Sequence, residues 1–303
     1  MALPAYASPL ERIWHYTYLT LCVLIFLFLI APILIVIPLS FNAEPYFTFT
    51  EKMLTFDPEG YSLRWYDSLL TFGMLNPEAP RDGAWWLDFW QNAQWMQVTK
   101  HSIIIGFFST LVATVLGTLA ALGLSRPEMP FRRAVMAVLI SPMIVPIIIT
   151  ATGLFFFYSK TGLANSYPGI ILAHATLGIP FVIITVTATL VGFDSSLSRA
   201  AASLGANPRT TFFKVVMPLI LPGVISGALF AFVTSFDEVV VVLFVADHSQ
   251  QTIPRQMWNG IREQISPAIL AVATILVIIS IALLTTVELL RRRSERLRGV
   301  SPR

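Results

Sequence analysis

Asp237 and Glu238 stand side by side inside residues 219–245, a stretch that holds no other charge. Carboxylates in so apolar a run are suited to recognising a cation. Placing one in a membrane costs roughly 2.5 to 3.5 kcal/mol even on a lenient insertion scale, so each is a candidate for function rather than for packing. Thr234 and Ser235 precede Asp237 and Glu238 by three residues. On a helix that spacing puts them on a shared face, so each acid is expected to have a local hydroxyl donor. Neighbours on a continuous helix point about 100 degrees apart, so one acid is expected to face a ligand and the other a partner group. Phe236 can add a ring face to a cation, and Trp258 in the next polar stretch joins the candidate set. An anion would be repelled by the pair in a low-dielectric passage. The plainer alternative is a solvated pair that anchors the outer end of its segment.

Other chemistry is sparse. His174 lies alone within an apolar run, without a Cys or second His at metal-ligand spacing, so no metal is expected. A hydrogen bond to a neighbouring helix is the expected role of such a histidine. Cys22 is the single cysteine and sits among apolar residues, which leaves no disulfide framework. A phosphate loop of the form G-x-x-x-x-G-K-[ST] does not occur, so no nucleotide site of that kind is expected in this chain. The chain is read as a transport component that is not an enzyme and carries no cofactor of its own.

The elements that must hold these residues are membrane helices. Of 303 residues, 55% are hydrophobic and 12% charged, with a mean hydropathy of +0.72, well short of the roughly 25% charge of soluble domains. Six apolar spans are expected, over residues 19–39, 101–124, 134–158, 170–191, 219–245 and 268–287, each long enough to cross a hydrocarbon core about 30 Å thick. The first is read as an uncleaved span because no small-residue cleavage site follows it. Pro142, Pro146 and Pro180 interrupt the third and fourth spans, and each alone reads as a kink. Gly223 and Gly227 form a G-x-x-x-G that suits close helix contact. Residues 1–40 are thus a tail and first span, and 41–100 a long outer loop. Residues 101–290 are a core of five spans, and 291–303 a basic tail. The loop holds five of the seven tryptophans, Trp65, Trp85, Trp86, Trp90 and Trp95, and is expected to carry one or two interfacial helices.

Six spans put both termini on one side. Of the 20 Lys and Arg, 13 fall on that side, which marks it as cytoplasmic. The net charge of +3 is too small to suggest a nucleic-acid partner.

The cytoplasmic stretch between the fourth and fifth spans, residues 192–218, has a design of its own. Ala200 to Leu204 favour helix, and Gly205 can end it in the left-handed conformation. Asn207 and Pro208 then suit an N-cap and first helical position. Arg199-Ala200-Ala201, then Gly205, then Val215 and Met217-Pro218 keep the spacing of the EAA loop, and on these residues the chain resembles the permeases of ABC importers. Arg199 stands where that pattern has Glu. Ser235-Phe236-Asp237-Glu238 and Ile265-Ser266-Pro267-Ala268 are similar to the spermidine/putrescine branch, with Glu238 replacing a second Asp.

The resemblance implies an all-α, type I importer fold of six helices with cytoplasmic termini in a bacterial inner membrane. It assigns Arg199, Ala200, Ala201, Gly205, Ala206, Pro208, Val215 and Pro218 to contact with an ABC ATPase dimer, which would bind ATP and Mg. It further implies an external solute-binding protein and a second permease, a homologue in a heterodimer, with the lipid bilayer as surroundings. The cargo it implies is putrescine- or spermidine-like, with another small organic cation or an amino-acid-like solute as alternatives. An ion-driven secondary carrier would leave the EAA-like loop without a purpose, and a membrane scaffold would leave the acid pair without one.

Overall fold

The computed structural model describes residues 8–126, 128–263 and 266–297. They are helical almost throughout, joined by short turns. The chain divides into two compact units, Met1–Trp85 with Gly260–Arg303, and Trp86–Asn259.

In the first unit, α1 (Pro9–Leu39) begins ten residues before the apolar run. Ser8 and Glu11 form a capping box, and Pro9 at the first helical position needs no N–H partner. The helix therefore starts in the polar segment and carries its apolar length open to its surroundings. The loop beyond it is more helical than expected, with α2 (Glu51–Leu54) and α3 (Arg64–Thr71) in this unit and α4 (Gly83–Asn92) lying mostly in the second. Buried Asn42 organises its entry. The Asn42 Nδ2 donates to the carbonyls of Tyr46 and Thr48 at 3.0 Å each, and its Oδ1 accepts from the Glu44 N–H at 2.9 Å. Trp65 Nε1 donates to the Asn42 carbonyl at 2.7 Å.

The core of the second unit is α5 (Gln94–Leu124). Beyond α5, α6 (Arg132–Ile144) and α7 (Ile147–Thr161) meet at 101°. The expected third span is therefore broken. Pro146 causes this, because it disfavours helical backbone at Val145, which is extended at ψ 135°. Pro142 lies inside α6 without ending it.

Next, α8 (Tyr167–Val191) runs unbroken past Pro180. The loop helices α9 (Ser195–Ser203) and α10 (Pro208–Thr211) follow. A widened π-turn over Phe212–Val216 leads into α11 (Met217–Asp237). Helices α5, α8 and α11 pack together. A side chain on Gly227 would lie 2.8 Å from Val182 Cα, so the G-x-x-x-G is what lets α11 close on α8. Apolar burial at Ala113, Ala121, Ala175, Val182, Val186, Ile220, Val224 and Ala231 fills the joint.

The fifth segment also departs from expectation. Helix α11 stops at Asp237, Glu238 is extended at ψ 123°, and a short α12 (Val240–Val245) restarts the chain. After it come α13 (Ile253–Glu263) and, in the first unit, α14 (Ala268–Leu297), which packs on α1 and α3. Among the described residues, α1, α5, α8 and residues 208–237 are long and apolar enough to cross a membrane. The α6–α7 pair is either a broken crossing or a re-entrant turn, and α14 is apolar through Ala282.

Candidate functional site

The interruption between α11 and α12 separates the two acids. Asp237 is exposed, and among the described residues it makes no hydrogen bond or ion pair. Glu238 is buried to 8% exposure, and its Oε1 accepts from the Val241 N–H at 2.9 Å. A six-residue helix cannot satisfy its first N–H groups internally, and a carboxylate at its N-terminus both accepts from them and opposes the positive end of the helix dipole. The Val239–Val242 run favours this break, because β-branched side chains are poor helix formers.

The expected local donors do not serve the acids. The Ser235 Oγ lies 2.8 Å from Ser109 Oγ and 2.9 Å from His174 Nδ1, a buried network that ties α11 to α5 and α8. Ser109 also donates to the Ile105 carbonyl. Thr234 does not bond Asp237 either. The i and i+3 spacing holds only along a continuous helix, and here the acids sit where the helix ends. The His174 bond to a neighbouring helix is as expected, while its Nε2 has no partner among the described residues.

Phe236 is half-buried and its neighbour Phe232 stacks beside it, with ring centroids 5.7 Å apart. Trp258 is exposed on α13. Nothing brings Trp258 into contact with Asp237. Arg255, which sequence reasoning missed, does reach this region. Its Nη1 lies within hydrogen-bonding distance of the carbonyls of Val242, Ala246 and Asp247, at 3.2, 2.9 and 3.1 Å. Half-burial lowers the proton affinity of the guanidinium and Asp247 opposes that, which leaves an arginine charged. No signal in sequence spacing links Arg255 to α12, since the pairing depends on the fold of the intervening turn.

The second surface lies on α9 and α10. Helix α9 starts earlier than expected, at an N-cap formed by Asp194, whose carboxylate accepts from the Ser196 N–H at 2.8 Å. Bonds from Ser196 hold that carboxyl below its ordinary range. Gly205 is left-handed at φ +82°, the Gly205 N–H donates to Ala202 and the Ala206 N–H to Ala201. These two bonds make a Schellman ending. Asn207 Oδ1 then accepts from the Thr210 N–H at 2.8 Å, with Pro208 at the first position of α10.

Arg199, Ala200, Gly205 and Pro208 are exposed, while Ala201, Ala206 and Val215 are partly covered. Leu204 and Phe213 project as large apolar side chains from the same segment. Pro218 is exposed at the start of α11. A rigid turn flanked by small residues and projecting apolar groups has the make-up of a protein-contact surface.

Comparison with known proteins fits this arrangement. The model of the family described as "Binding-protein-dependent transport system inner membrane component" matches residues 113–298. The spermidine/putrescine transport system permease protein PotC of Haemophilus influenzae is 31% identical over 270 residues, covering 89% of this chain and 94% of that protein. The putrescine transport system permease protein PotI of Escherichia coli is 30% identical over 281 residues, covering 90% of this chain and 88% of its own length. Among solved structures, a bacterial ABC transporter involved in the import of the acidic polysaccharide alginate contains a chain with the same fold, at a TM-score of 0.68 and 17% identity, covering 94% of this chain and 99% of that one. With a family match across most of its core and relatives aligned over nearly its whole length, the chain belongs to the inner membrane components of binding-protein-dependent transport systems.

Proposed function

We propose that the chain is the permease subunit of an ATP-driven importer of a small organic cation of the putrescine and spermidine class. The observation that carries this reading is a pair of carboxylates at an interruption of an apolar helix, with Asp237 exposed at the break. The last carbonyls of α11 have no helical partners there, and a helix C-terminus is the negative end of its dipole. An ammonium group arriving at Asp237 therefore meets a carboxylate and carbonyl acceptors together. Glu238 lies buried at the same break, with its oxygen held by α12. The named cargoes of PotC and PotI support the same class.

In this reading the protein crosses the membrane six times with both termini in the cytoplasm, as the charge distribution supports. The α9–α10 segment docks an ATPase that supplies ATP and Mg, an external binding protein delivers cargo, and a homologous second permease completes the pathway. The chain then contributes no catalysis. It presents a cation site that opens and closes as the ATPase works.

The test is uptake of radiolabelled putrescine and spermidine into proteoliposomes holding the complete complex, with binding protein outside and ATP inside. Uptake competed by other diamines and indifferent to neutral or anionic solutes is expected. Saturable uptake of an amino-acid-like or anionic solute, with none of either polyamine, would overturn the cargo assignment.

A further inference from the structure

The short helix α12 is held at both ends by charge. Within its six residues the i to i−4 bonds, with Leu243 N–H on Val239 and Ala246 N–H on Val242 at its two ends, leave the first-turn N–H and last-turn C=O groups without internal partners, and in an apolar setting each orphan is costly. Glu238 answers the N-terminal end at Val241, and Arg255 reaches the C-terminal end at the Ala246 and Asp247 carbonyls and, as a second donor, at the Val242 carbonyl that already accepts from Ala246 N–H. Each charge opposes the pole of the helix it meets. Between the clamps, Val241, Val242 and Val245 are fully buried against Ala151, Tyr158 and Ile170. Burial sets the depth of α12, but apolar contacts are non-directional and do not hold its ends.

We propose that Arg255 is a positioning residue of the transport reaction: from α13 it fixes the end of α12 and thereby the backbone break at which Asp237 is presented. The proposal rests on the reading of that break as part of the cargo pathway. Arg255 touches no cargo in this role. It acts through three carbonyls, and its neighbour on α13, the exposed Trp258, shows that this helix also has an open face. The segment before Arg255 is itself tied down. The Ile253 N–H donates to Ser102 Oγ at 2.8 Å, the Gln251 carbonyl lies 3.1 Å from His101 Nδ1, and Gln94 Nε2 donates to Gln256 Oε1 at 3.1 Å. The clamp therefore links the start of α5 to the far end of α12.

The experiment compares Arg255→Gln, Arg255→Lys, Glu238→Gln and the double variant Glu238→Gln/Arg255→Gln in the reconstituted complex. Backbone hydrogen exchange over residues 240–247 reads the clamp. Removing a charged donor from these carbonyls should speed exchange about tenfold or more in Arg255→Gln, with Arg255→Lys close to wild type because an ammonium still reaches a carbonyl. Putrescine uptake reads the reaction. Its maximal rate should fall about tenfold in Arg255→Gln, and KM should change less than about twofold, since cargo contacts remain. Lys should restore most of the rate. Because both ends act through one helix, the double variant should be no worse than the poorer single one.

Unchanged exchange in Arg255→Gln would overturn the clamp. Faster exchange with unchanged uptake, or fully additive effects with Glu238→Gln, would overturn the positioning role. If the wild-type complex takes up no putrescine, the cargo reading fails separately. The same variants are then judged by exchange and by the stimulation of ATP hydrolysis by the binding protein, which Arg255→Gln should lower and Arg255→Lys retain.

Discussion

Replacing Asp237 with Asn removes a charge from an exposed side chain at the end of α11 while keeping its shape. Uptake of putrescine by the Asp237→Asn complex should fall by about tenfold or more, as expected when the charge that meets the cargo is removed, with assembly unchanged. Near-normal uptake at matched expression would remove Asp237 from the pathway. Glu238→Gln should behave more mildly in binding, because its oxygen still accepts from Val241, and its defect should lie in rate. Ser235 supports a different prediction. Its hydroxyl joins Ser109 and His174 in a buried network, so Ser235→Ala leaves polar groups unpaired at a cost of about 1 to 3 kcal/mol. That should appear as a lower thermal midpoint of the detergent-purified complex, with cargo KM unchanged; a raised KM at an unchanged midpoint would place Ser235 at the cargo instead. The acids were legible in the sequence because a charge in an apolar run is costly wherever it folds. The partners of Ser235 were not, because Ser109 and His174 come from distant helices and no spacing rule reaches across them.

Local chemistry explains why the α9–α10 segment could be read in such detail. Its Schellman ending and Asn207 cap are contacts between residues a few positions apart, and Gly205 is left-handed as its place after a run of helix formers required. A side chain at Gly205 would meet open space, so Gly205→Ala isolates the backbone strain of about 1 to 2 kcal/mol that a non-glycine residue incurs there. Gly205→Asp adds a charge at the proposed ATPase contact. Both should insert normally, and ATPase co-purification should drop modestly for Ala and severely for Asp. Full association and coupling in Gly205→Asp would refute docking at this turn. Arg199 is exposed, with Nη1 3.3 Å from Ser195 Oγ. If the ATPase groove has changed to match it, Arg199→Glu creates a like-charge contact that can cost several kcal/mol. Co-purification across a salt series should show weakening that salt relieves, whereas equal stability of the two forms would mark the position as merely solvated. The two helix breaks were less evenly legible. Pro146 announces the first by its missing N–H and its effect on Val145. The second has no Pro or Gly, and it depends on a carboxylate that competes for backbone N–H groups after the chain has folded.

On the scale of the whole molecule, one bent pair of helices decides which side of the membrane the α9–α10 segment faces. If α6 and α7 together cross, the order of spans leaves residues 162–166 outside, brings α8 back in, and delivers Arg199 to the cytoplasm with the basic tail. If the 101° turn between them is re-entrant, residues 162–166 stay inside, α8 runs outward, and the proposed docking surface faces away from any ATPase. The charge distribution favours the first arrangement, since Arg126, Arg132 and Arg133 flank the start of the pair and only Lys160 lies near its end. Cysteine labelling can separate the two, because Cys22 is the chain's single cysteine and Cys22→Ser gives a clean background. Glu128, Lys160, Ser203 and Ser249 are all exposed, so a cysteine placed at each should react freely with a thiol reagent. In right-side-out vesicles, an impermeant maleimide should label Lys160→Cys and Ser249→Cys, while Glu128→Cys and Ser203→Cys react only after permeabilisation. Labelling of Glu128→Cys and Lys160→Cys from the same side would make the pair re-entrant and reduce the crossings to five. It would also reverse Ser203 relative to Glu128, and docking by α9 and α10 would then have to be abandoned whatever its resemblance to an EAA loop.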